Sequence, residues 1–108
     1  MPNLTDDHCA KTLLRWGQHF VKRAEEDLAR ATARRTEEEI QLRIAKAIEE
    51  ERQRTDPYYG VGWGAPTPEQ RHEETLKRAS LEEAEASRVL SNNREMLAYI
   101  ERITHPTP

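Results

Sequence analysis

At 108 residues the chain has room for one small domain and too little for two sizeable cores. Apolar residues make up 35% and charged residues 34%, yet the net charge is only -3, so the high net charge of a disordered chain is missing. The lone Cys9 excludes an internal disulfide and a multi-cysteine metal site, and no window approaches the ~20 apolar residues of a membrane span.

The mixture of Ala, Glu, Arg and Leu is that of long helices and coiled coils. The opening MPNLTDD is acidic and has no apolar h-region, which predicts a chain without a signal peptide and an intracellular, cytoplasmic location. Thr5 followed by Asp6 and Asp7 is a helix start, a hydroxyl cap with acids where the helix dipole favours them. From there to Thr55 the only breaker is Gly17, so the first helix is predicted over roughly residues 5–54.

Along it Leu13, Gly17, Phe20, Ala24, Leu28 and Ala31 recur at steps of three and four, with Leu14 and Val21 beside them. That spacing predicts one buried face. After Ala31 the pattern shifts: Ile40, Ile44 and Ile48 form a second row, while Leu42 and Ala45 keep the first phase. The helix either runs through, or breaks at Thr36, where Thr36 and Glu39 have the form of a capping box. The absence of Gly and Pro there favours continuity.

Residues 56–66, DPYYGVGWGAP, are unlike their surroundings and hold three of the four glycines and three of the six aromatics. The glycines free the backbone for a reversal. Tyr58, Tyr59 and Trp63 exceed what a reversal needs, and their amphipathic rings are the kind that dominate binding hot spots. They serve either as a displayed docking tip or as a cap on the end of the helices.

Thr67-Pro68-Glu69-Gln70 then starts a second helix, predicted over roughly residues 67–104: Thr as cap, Pro in the first position, Gln three after the cap. A heptad follows, with Leu76, Glu83, Leu90, Leu97 and Thr104 at one seam position and Ala79, Ala86, Asn93 and Ile100 at the other. Val89, Met96 and Ile103 widen that face.

Two long helices and a short turn predict an all-α antiparallel hairpin, with the chain forming a single helical domain. A symmetric fold at the turn sets Phe20 and Ala24 near residues 98–102. Pairing of two hairpins into a four-helix bundle or coiled coil would cover the Ile40, Ile44 and Ile48 row, with Asn93 setting the register.

Chemistry finds few handles. His8 and Cys9 are adjacent and point apart on a helix, and the many carboxylates sit in solvated runs such as Glu37-Glu38-Glu39, so the pattern predicts no enzyme. Glu69 and His72 have E-x-x-H spacing, but no further ligands converge on them, and neither a metal nor a cofactor is expected. Between residues 10 and 36 seven basic residues face three acids. Arg23, Arg30 and Arg34 lie on the outer face of that stretch as a second, electrostatic candidate surface, whereas Arg35 points elsewhere.

The functional expectation is a protein–protein interaction module (adaptor, assembly subunit or inhibitor) that self-associates as a homodimer. It would bind a protein through Tyr58, Tyr59 and Trp63, or through Arg23, Arg30 and Arg34. Nucleic-acid binding along the basic stripe is the alternative.

Overall fold

The computed structural model describes residues 7–56 and 67–104. They form two helices, α1 (Asp7–Thr55) and α2 (Pro68–Thr104), arranged as an antiparallel helical hairpin, with no strand among the described residues. Thr5 and the aromatic tip lie outside the described residues.

The second helix starts as its sequence dictates. The Thr67 amide donates to Gln70 Oε1 at 3.0 Å, and the Gln70 amide donates to Thr67 Oγ1 at 3.2 Å. This reciprocal capping box satisfies two amides that the first turn leaves unpaired. The similar sequence at Thr36 does not cap: α1 runs through it, and its hydroxyl donates back to the Thr32 carbonyl at 2.9 Å. Within an unbroken run of helix formers this back-bond is the local alternative to a cap.

The chain divides into two compact units, residues 1–30 with 84–108 and residues 31–83. In the first, Ala10 and Ala24 of α1 are buried, as is Gly17, and α2 contributes buried Leu90. Leu14, Val21 and Leu28 on α1 and Asn93, Leu97 and Ile100 on α2 are half-buried around them. The seven-residue spacing of Ala10, Gly17 and Ala24 puts a small residue at every second layer and lets the helices approach closely.

A β-carbon placed on Gly17 would sit 2.8 Å from Leu97 Cδ1 and 3.8 Å from Leu97 Cα. Asn93 Nδ2 reaches the Phe20 carbonyl across the seam at 3.4 Å. Phe20 therefore lies opposite Asn93, more than a helical turn from the 98–102 stretch that a symmetric fold predicts. The notch at Gly17, filled by Leu97, fixes the pairing instead.

The ring of Phe20 does not enter the core either. It is 54% exposed, because closely spaced helices leave no depth for a large ring and turn it to the flank. Val89, Met96 and Ile103, expected to widen the buried face of α2, are exposed for the same reason.

The second unit is built from the same heptad with different residues. Ala79 is almost fully buried, and Leu42, Ala45 and Leu76 are half-buried. To either side of them the seam carries half-buried Arg35, Glu38, Glu49, His72 and Glu83. Arg35 Nε donates to Glu83 Oε1 at 2.9 Å, and its Nη1 donates to Glu39 Oε1 at 2.5 Å. On the flank Arg34 Nη1 donates to Glu82 Oε2 at 2.8 Å.

The Arg35 hydrogen bond, and next a bond from the Thr32 hydroxyl, lower the Glu83 carboxyl below its ordinary range. The same bond to Glu83, with Glu39 nearby, raises Arg35. This half-buried cluster has its hydrogen-bonding groups matched across the helices, and so it selects one register.

Two outcomes follow for urea denaturation monitored by circular dichroism. Gly17→Ala should stay within about 1 kcal/mol of the wild type, since a helix-propensity gain of that size offsets the shift of one Leu97 methyl. Gly17→Leu drives its side chain toward the α2 backbone and should cost about 1–3 kcal/mol.

Glu83 has a lowered folded-state pKa, so its stabilisation is complete above the unfolded value of about 4.3 and fades as pH falls through the lower folded value. Over that acid window the wild type should lose more stability than Glu83→Gln. Parallel pH profiles for the two proteins would show that the pair contributes nothing.

Candidate interaction surfaces

The seam of the first unit divides its surface into two unlike flanks. One side is polar, with exposed Lys11, Gln18 and Glu25 on α1 and Ser87, Arg94 and Glu101 on α2. Glu25 and Arg94 face each other there at 3.6 Å.

The opposite flank is apolar. Phe20 and half-buried Leu13 each precede a seam position on α1, and Val89, Met96 and Ile103 do so on α2. In an antiparallel pair these positions lie on the same side. Trp16 and Tyr99 sit one step further round their helices on that side. Trp16 is 60% exposed, Met96 60%, Tyr99 57%, Ile103 46% and Val89 41%. The ring of Phe20 lies beside that of its neighbour His19, tilted to it with centroids 6.0 Å apart.

Asp27 and Arg30, which form an ion pair, edge this face on α1, and Glu85 with Arg88 edges it on α2. The Glu85 carboxylate raises the Arg88 guanidinium further.

The apolar residues on this side follow a second heptad phase. Leu13, Trp16 and Phe20 on α1 and Val89, Met96, Tyr99 and Ile103 on α2 keep the three–four spacing beside the buried seam, with polar Asn92 filling the one intervening position on α2. The sequence therefore carried the signal. It goes unread when each helix is assumed to own a single apolar face.

In the second unit Ile40, Ile44 and Ile48 are 48–49% exposed, the uncovered row that their spacing predicts. Ile44 and Ile48 border a groove with Ala45, Glu49, Pro68 and His72, in which Glu49 Oε2 is buried without a hydrogen-bond partner. A separate groove is lined by Leu42, Leu76, Lys77 and Leu81.

The residues expected to bind a partner fare differently. Tyr58, Tyr59 and Trp63 lie outside the described residues. Arg23 and Arg30 in the first unit and Arg34 in the second are all exposed on α1. Arg30 is engaged by Asp27 and Arg34 by Glu82, so two of these three arginines already meet a carboxylate. Such exposed pairs contribute only about 0–1 kcal/mol and exchange readily.

Cys9 is a free, half-buried thiol beside exposed His8. Among the described residues no cluster of three or more His, Cys, Asp or Glu is suited to a metal ion. No described helix is long and apolar enough to cross a membrane. Compared with protein-family models, with curated proteins and with solved structures, the chain finds no match.

Proposed function

We propose that the chain is a non-enzymatic protein–protein interaction module, working as an adaptor, assembly subunit or inhibitor. One observation carries this reading: the first unit exposes six large apolar side chains, each 41–60% accessible, on a single flank. Scattered apolar residues are ordinary on a protein surface, whereas a contiguous patch of this kind marks an interaction site. Trp16, Phe20 and Tyr99 give it the rigid aromatic anchors that dominate binding energy.

The tip residues Tyr58, Tyr59 and Trp63 remain a second proposed contact on composition alone. Nucleic-acid binding through Arg23, Arg30 and Arg34 draws less support, because two of the three already meet carboxylates.

The test is affinity capture with the purified chain, followed by titration of whatever purified protein is retained. A partner held by the apolar flank should bind almost independently of salt. Its affinity should fall at least about tenfold with Trp16→Ala or Tyr99→Ala, an ordinary hot-spot loss. Binding that drops steeply with salt and disappears with Arg23→Glu/Arg30→Glu would replace this reading with the electrostatic one.

A further inference from the structure

We infer that the occupant of the apolar flank of the first unit is a second copy of this chain, which docks the same flank and closes a four-helix assembly. The inference rests on the reading of that flank as an interaction surface, and it names the partner.

Area is the first argument. Three aromatic side chains of ~150–250 Å² each and three somewhat smaller aliphatic ones, all about half exposed, leave roughly 500–600 Å² of apolar surface on one side. A stable interface takes ~800 Å² from each partner, of which only ~57% is apolar. One copy therefore supplies the whole apolar share of its half of a dimer.

Folding is the second. The hydrophobic residues buried among the described residues are Ala10, Ala24, Ala79 and Leu90, and three of the four are alanines. So small a core supports a folded hairpin only weakly, and chains of this kind gain the missing burial by association. The cover must then be present whenever the chain is made, a condition that a second copy meets.

Pattern and charge agree. The exposed residues of both helices keep the three–four spacing of a coiled-coil seam, so each helix offers knobs to another helix pair. Both signs of charge border the flank, Asp27 with Arg30 and Glu85 with Arg88, so two copies meet no single-sign field. A two-fold pairing brings the same patch together from both sides.

Sedimentation equilibrium on the purified chain, combined with Trp16 fluorescence in a Trp63→Phe background, tests this. The expected result is a dimer whose dissociation on dilution coincides with a red shift of Trp16 emission. Met96→Glu or Tyr99→Glu should raise the dissociation constant at least about 100-fold, because each buries a charge in an apolar interface. Both residues are more than half exposed within the hairpin, so neither substitution disturbs the hairpin's own seam. If helix content falls together with the dimer in these variants, that also supports the inference.

A helical monomer at every concentration would overturn it while leaving the protein-binding reading to the capture experiment. A larger assembly, a dimer whose dissociation leaves Trp16 emission unmoved, or one that survives both glutamate variants would overturn it as well.

Discussion

Close approach of the helices at small residues is the constraint on which the rest of this hairpin depends. Gly17, with Ala10 and Ala24 one heptad to either side, brings the α1 backbone against Leu97 and Ile100. The contact gives good packing but little depth. In the first unit the aromatic rings are turned to the flanks, which is how a chain with only six aromatics comes to expose Trp16, Phe20 and Tyr99 together. The proposed interaction surface is thus the geometric complement of the narrow seam.

The two units use the same heptad for different ends. In the first, the seam is apolar apart from Asn93 and Thr104, and its energy comes from burial. In the second, Arg35, Glu39, Glu83 and Thr32 replace apolar layers with a matched set of donors and acceptors. Half-buried ion pairs add little net stability, because desolvation offsets most of their attraction. They do penalise a slipped register, in which Glu83 and Arg35 would each face apolar neighbours. Specificity is therefore concentrated in one unit and apolar burial in the other.

Much of the architecture was legible because local signals agreed. The Thr67–Gln70 capping box, the heptad of α2 and the lack of any breaker after Gly17 each have a direct physical reading, and each appears in the structure. The failures have a common origin. Phe20 reads as a core residue because it keeps helical spacing with Leu13 and Gly17, but spacing locates an arc and not the depth available within it. A second apolar phase, offset by one residue, looks like a broader first one, so Met96 reads as part of the buried face and Tyr99 goes unread. The partner of Phe20 depended on which side chain fills the notch at Gly17, a tertiary property that no single helix encodes.

The mixed seam of the second unit has a consequence for motion. Its half-buried positions include Arg35, Glu38, Glu49, His72 and Glu83, whose bonds water can replace, whereas the seam around Gly17, Ala24 and Leu90 is apolar apart from the Asn93 bond to the Phe20 carbonyl and Thr104. Local opening follows the cheapest contacts. Backbone amides of residues 31–55 and 68–83 should therefore exchange with solvent ahead of those in residues 10–28 and 86–100. The hairpin would loosen from the half that holds its register while the half with the apolar flank stays formed.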